Sequence, residues 1–254
     1  MESGLMRRRA ATLVLVLTAA LLPATPAAAA SIPADLAHIG NARQLIVVTA
    51  PGWSSTRATL RAYQRGGDGR WRQVFKAMAA RTGYGGWAWA NRRVQDTGQT
   101  PVGTFTITRA FGVRPDPGTR LPYREVDGND YWVGDRRDPR TYNLFQPSAS
   151  PNRTWRISQA ERLAAYPTQY AYAAVINFNR PSGVRWDAKR GEYVAGKPAH
   201  VGRGSAIFLH ASGKGATAGC VSVSRSNMVR LLKWLNPAKR PRIVMGPSKV
   251  ITRA

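Results

Sequence analysis

The chain holds one cysteine, Cys220, and His210 lies ten residues before it. These two residue types suit nucleophilic acyl transfer. A free thiol is only a few per cent thiolate at neutral pH. A neighbouring imidazole takes its proton and later returns one to a leaving group. Ala218 and Gly219 are small, so their N–H groups and that of Cys220 are candidate donors to a tetrahedral oxyanion. Spacing alone leaves a second reading open: His210 is an ordinary strand-end histidine and Cys220 a buried, inert thiol. Gly213-Lys214-Gly215 lacks the Walker spacing and its terminal Lys-Ser/Thr, so this loop is not a phosphate cradle.

The elements needed to present this pair are legible around it. Ser205 to Leu209 (SAIFL) is β-prone and runs into His210; a Gly-rich loop covers 211–219. Ser224 to Leu235 has helical apolar spacing, starts at a good N-cap and stops at Asn236-Pro237. Strands are also predicted over Gln44–Thr49, Ala58–Arg65, Trp71–Met78, Thr104–Thr108, Asp130–Val133, Tyr172–Phe178 and Arg242–Met245. Gly66-Gly67-Asp68-Gly69 joins two of these as a hairpin, and Thr100-Pro101-Val102-Gly103 reads as a turn. Residues 112–120 and 146–153 read as loops, and Ser158-Gln159-Ala160-Glu161 as a capping box opening a short helix before Pro167. The sum is a mainly β domain with one helix after the nucleophile.

The segment Thr217-Ala218-Gly219-Cys220-Val221, with His210 upstream, resembles the signature of the L,D-transpeptidase (YkuD-type) family. There a strand-end histidine precedes Ser/Thr-His-Gly-Cys and an aliphatic residue. Thr100-Pro101-Val102-Gly103-Thr104-Phe105-Thr106-Ile107 is similar to a second run of that family, Thr-Pro-x-Gly-x-Phe-x-Ile. The resemblance implies a β-sandwich-like catalytic domain over residues 42–254. It implies Cys220 as nucleophile, His210 as base, the Ala211 backbone carbonyl as orienter of the imidazole, and Gly219 and Cys220 as oxyanion-hole donors. The implied reaction attacks a peptidoglycan stem tetrapeptide, releases D-Ala and forms a thioester. An amine of a second stem then makes a 3→3 cross-link. No cofactor and no metal is implied.

Two positions depart from the family pattern. The histidine common before Gly-Cys is Ala218 here, and the arginine common two residues after the cysteine is Ser222. If that arginine holds a substrate carboxylate, another cation must replace it. Arg203, Lys214 and Arg225 lie close in sequence. With Thr217 and Ser222 they are the candidate substrate-binding residues. Two alternatives stay open: an L,D-carboxypeptidase using the same acyl-enzyme with water, and a non-catalytic module binding anionic wall polymers.

Export is expected from the N-terminus. Arg7-Arg8-Arg9 precede an apolar run from Ala10 to Leu22, then Pro23, Pro26 and Ala28-Ala29-Ala30. This is the pattern of a cleavable signal peptide over residues 1–30. The run is about 13 residues, short of the roughly 20 that a spanning helix needs. Residues 31–41 read as a short leader. The formal net charge is +25, and removing Arg7, Arg8, Arg9 and Glu2 leaves about +23. A secreted chain this basic suits anionic wall polymers or an acidic membrane surface. Export and the absence of a recognisable motif argue against nucleic acid.

The remaining candidates are weak. His38 falls in the leader and His200 in a polar loop, which does not make a zinc site. Tyr84, Trp87 and Trp89 form either a flap over a cleft or ordinary packing.

Overall fold

The computed structural model describes residue 1 and residues 33–254. The expected export segment, apart from Met1, and the first two leader residues lie outside the described residues. The rest of the leader packs on the domain: Leu36 joins the core and the Ala37 N–H donates to the Thr252 carbonyl at 2.9 Å.

The strands, in order, are β1 (Gln44–Ala50), β2 (Arg57–Arg65), β3 (Trp71–Gln73), β4 (Met78–Arg81), β5 (Trp87–Trp89), β6 (Thr100–Gly112), β7 (Tyr123–Glu125) and β8 (Tyr131–Val133). There follow β9 (Phe145–Gln146), β10 (Ala160–Arg162), β11 (Ala173–Ile176), β12 (Arg185–Asp187), β13 (Glu192–Val194), β14 (Phe208–Ala211) and β15 (Val221–Val223). The helix α1 (Arg225–Trp234) and strand β16 (Arg242–Pro247) complete the main elements among the described residues. The domain is mainly β with one α-helix after the strand that follows Cys220, as expected.

The main sheet runs β1-β16-β6-β11-β14-β15-β4-β2-β3, and β1 also pairs with β2. The pairing circuit therefore closes on itself, which removes most free edges. One side of the circuit is filled by Leu45, Val47, Leu60, Ile107, Leu209, Val221 and Ile243. Met228, Leu231, Leu232 and Leu235 join them at i, i+3, i+4 and i+7, so α1 covers this core with its apolar stripe. The Ser224 hydroxyl caps the helix by accepting from the Asn227 N–H at 3.3 Å.

Side chains alternate across a strand. The other face of β6, β11 and β14 accordingly carries Phe111, Ala173, Val175 and Phe208, packed with Trp132, Leu163, Tyr170 and Cys220. The small sheet β10-β8-β9 supplies Trp132 to this second layer.

Four expectations are corrected. The Ser158 capping box does not form. Ile157–Gln159 is a single 3₁₀ turn without a side-chain cap, and Ala160–Arg162 pairs with β8 as β10. Sheet pairing overrides the local helix signal there. Thr100–Gly103 is not a turn but the start of the 13-residue β6, paired in parallel with β5. The strand expected over Trp71–Met78 divides at 74–77 into β3 and β4. Finally, β14 starts at Phe208, because Ala206 has φ +56°, outside the extended region.

Candidate active site

Strands β14 and β15 are parallel neighbours with His210 opposite Ser222 and Leu209 opposite Val221. Cys220 immediately precedes β15, so its side chain shares a face with Phe208 and His210. Cys220 and His210 line one cavity of about 410 Å³, with Tyr84, Arg93, Glu161 and Lys214 among its other walls. Both are buried, at 7% and 5% exposure. The sheet thus converts a ten-residue separation into a shared wall.

The imidazole is held by the next residue. His210 Nδ1 lies 2.7 Å from the Ala211 carbonyl oxygen. A carbonyl only accepts, so Nδ1 carries the proton and Nε2 keeps the lone pair. The Tyr170 ring meets the imidazole edge-on at 5.6 Å. Burial pulls the imidazole below its ordinary pKa, and the Ala211 and Gln169 carbonyls oppose this. A neutral ring with a free Nε2 can act as a proton acceptor.

The Cys220 thiol donates to the Ala206 carbonyl at 3.2 Å and accepts from the Phe208 N–H at 3.3 Å. Burial pushes its pKa up to about 12; the Phe208 N–H and Arg93 work against burial, while Glu161 adds to it. The sulfur therefore rests as a thiol, and any nucleophile must be made by proton removal.

The loop before Cys220 is braced from within and from β4's end. The Thr217 hydroxyl donates to the Cys220 carbonyl at 2.7 Å and accepts from the Gly219 N–H at 3.2 Å. The Gly219 N–H thus faces its own turn in this state. The Tyr84 N–H donates to the Thr217 carbonyl at 2.8 Å, and the Thr217 N–H to the Thr82 carbonyl at 2.9 Å. Gly219 has φ +131°, and a Cβ there would stand 2.8 Å from the Gln99 carbonyl oxygen. Only glycine fits that position.

A family model described as the L,D-transpeptidase catalytic domain (YkuD) matches residues 53–250. The chain belongs to this family. The match covers most of the domain, including both the Thr100–Ile107 run and the cavity around Cys220. Comparison with curated proteins found no match.

Within this L,D-transpeptidase domain, the candidate substrate cations separate. Lys214 lines the Cys220 cavity. Arg203 lies on another cavity with His200, and Arg225 on a third beside α1. Ser222 is buried and accepts from the Ser212 hydroxyl at 3.3 Å. Tyr84 is exposed at the cavity, whereas Trp87 is buried, its Nε1–H donating to the Ser55 carbonyl. Trp89 packs edge-on against Trp53 at 5.6 Å.

Two further residues of the cavity, Arg93 and Glu161, carry no catalytic signal in the sequence. Arg93 is 5% exposed, donating from Nε to the Gln99 carbonyl at 2.7 Å and from Nη1 to the Arg203 carbonyl at 2.9 Å. A Cβ on Gly204 would meet its Nη1 at 1.5 Å, and one on Gly219 its Nη2 at 2.9 Å. The guanidinium is wedged between those two backbones, and no carboxylate pairs with it among the described residues. Glu161 accepts the Tyr170 hydroxyl at 2.6 Å, and burial raises its pKa. Arg93 lies more than a hundred residues from Cys220, and Glu161 about sixty, so only the folded sheet unites them.

Proposed function

We propose that this domain is an exported cysteine acyltransferase that forms 3→3 peptidoglycan cross-links through a Cys220 thioester. The observation that carries the reading is that one cavity is lined both by Cys220 and by an imidazole whose Nδ1 is tied to the Ala211 carbonyl. Family membership supports the reaction class, and the charged-apolar-small pattern of residues 1–30 supports export.

In this reading His210 Nε2 removes the thiol proton as Sγ attacks the carbonyl carbon of the third residue of a stem tetrapeptide. The C–N bond to D-Ala breaks, the protonated imidazole gives its proton to the departing amine, and a thioester remains. A side-chain amine on a second stem attacks that thioester. The new amide forms, the C–S bond breaks, and the amine's proton passes by way of His210 to the released sulfur. The Cys220 N–H is the candidate donor to the oxyanion of each tetrahedral intermediate.

The test is mass spectrometry of disaccharide-tetrapeptide muropeptides incubated with the protein, beside Cys220→Ala. D-Ala loss with a new dimer, both absent in the variant, is expected. Tripeptide without dimer would make water the acceptor and the protein an L,D-carboxypeptidase. Turnover retained by Cys220→Ala would overturn the nucleophile.

A further inference from the structure

A second cavity, also of about 410 Å³, opens on the same outer layer but shares no lining residue with the first. The two are separated by an aromatic partition. Phe208 stacks edge-on with Trp132 at 4.8 Å and with Phe111 at 5.0 Å, and both of those rings line the second cavity. Tyr170, 5.6 Å from Phe208, lines the first.

The second cavity combines an apolar floor with three guanidinium groups. Phe111, Trp132, Phe145 and Val175 supply carbon surface, and Arg109, Arg124 and Arg180 supply charge. Arg124 already pairs with Asp130 at 2.9 Å and lies over the Phe145 ring at 5.6 Å. Arg180 stacks on the Trp132 ring, its Cζ 4.4 Å from the centroid, and donates to the Asn143 carbonyl. Neither Arg180 nor Arg109 has a carboxylate partner among the described residues. Burial lowers the Arg180 pKa to about 9, and the neighbouring Arg109 charge pushes the same way.

Arg109, which is exposed, and the stacked, half-buried Arg180 are neighbouring like charges on one cavity wall, and an anion between them would relieve their repulsion. Guanidinium forks match the two oxygens of a carboxylate or a phosphate. Aromatic and aliphatic walls favour a ligand with an apolar body, and the volume falls in the small-molecule range. We propose that this cavity binds an anion carried on an aromatic or aliphatic body, with its carboxylate or phosphate between Arg109 and Arg180. The site is separate from the Cys220 chemistry and stands whether or not that chemistry is as proposed.

Calorimetric titration with phenyl phosphate, benzoate, inorganic phosphate and uncharged benzyl alcohol tests it. Saturable binding of phenyl phosphate or benzoate is expected, at least about tenfold tighter than inorganic phosphate or benzyl alcohol. The better of the two aromatic probes identifies the anionic group. Arg180→Met and Arg109→Met should each weaken that probe by about tenfold or more. Arg109 is exposed, so its variant keeps the test valid if Arg180→Met fails to fold through loss of the Asn143 contact. No saturation by either aromatic anion up to about 10 mM overturns the proposal, as does equal binding by a folded Arg109→Met.

Discussion

The Cys220 thiol points its proton at the Ala206 carbonyl, 3.2 Å away. That carbonyl is available because Ala206 adopts φ +56°, a left-handed conformation that costs a non-glycine residue about 1 kcal/mol or more. The strain is held by Asn143, whose Oδ1 accepts the Ala206 N–H at 3.2 Å and the Trp132 Nε1–H at 2.8 Å. The resting sulfur is thus a hydrogen-bonded thiol, and its reactivity depends on what takes the proton.

The first prediction concerns pH. Cys220, pushed up to about 12, does not supply thiolate near neutrality, so His210 must be neutral to act as base. Folding lowers the His210 pKa, so the acid limb of kcat/KM should lie below the ordinary imidazole value of 6.5. Activity should be held through pH 6.5 and fall at lower pH as the ring protonates. His210→Ala should lose roughly 10²–10⁴-fold at pH 7, with a rate that then climbs with pH. An acid limb above 6.5 would sink this account.

The second prediction pairs two variants of opposite sign. The Arg93 charge lowers the Cys220 pKa, and Glu161 raises it. Arg93→Met should slow iodoacetamide alkylation of Cys220, and Glu161→Gln should speed it. Each change should be up to roughly tenfold, the equivalent of one pKa unit. Arg93→Lys should restore part of the rate, because it keeps the charge while losing the fork between Gly204 and Gly219. If the two neutral variants move the rate in the same direction, they act through packing and not through charge.

The limits of the sequence reading follow from distance along the chain. Cys220, His210 and the loop between them are visible because glycine and small-residue chemistry is local. The helix after Ser224 is visible because capping and a 3.6-residue apolar spacing are local too. Arg93 and Glu161 carry no local mark of a site. Arg93 reads as one arginine among many in a chain of charge +25, and Glu161 as the last residue of a capping box. Pairing with β8 turns that box into a strand and sends the carboxylate to Tyr170 instead. The Thr100–Gly103 run failed for a similar reason: Pro101 and Gly103 are turn residues locally, but the parallel partner β5 holds the segment extended.

Asn143 gives the third prediction. Its side chain accepts from Trp132 and Ala206, and its Nδ2 donates to the Phe178 and Asn179 carbonyls at 3.2 and 2.6 Å. Asn143→Ala leaves buried partners unsatisfied and puts a Cβ-only residue at φ +59°. Chemical denaturation should show a loss of about 3 kcal/mol. Asn143→Asp keeps the acceptor but sets an oxygen against the Phe178 and Asn179 carbonyls and buries a charge, so near neutral pH it should lose at least as much. An Asn143→Ala protein of unchanged stability would mean that Ala206 is held by something else.

Asp135 gives the fourth. It is buried and accepts from Arg156 at Nε and Nη2, at 2.9 and 2.6 Å, and from the Arg137 and Arg156 N–H groups at 3.0 Å each. Arg156 is foremost in holding this carboxyl well below its ordinary value of 3.8. A carboxylate whose folded pKa is depressed stabilises the fold fully above its unfolded value, and that contribution disappears as pH falls through the folded value. Asp135→Asn should therefore cost most at neutral pH, about 2 kcal/mol once the half-exposed Arg156 is discounted for solvent screening. Its cost should shrink in acid, so that urea midpoints of the variant and the parent converge below pH 3.8. Midpoints that stay equally far apart from pH 7 into strong acid would assign the loss to packing and not to the charge of Asp135.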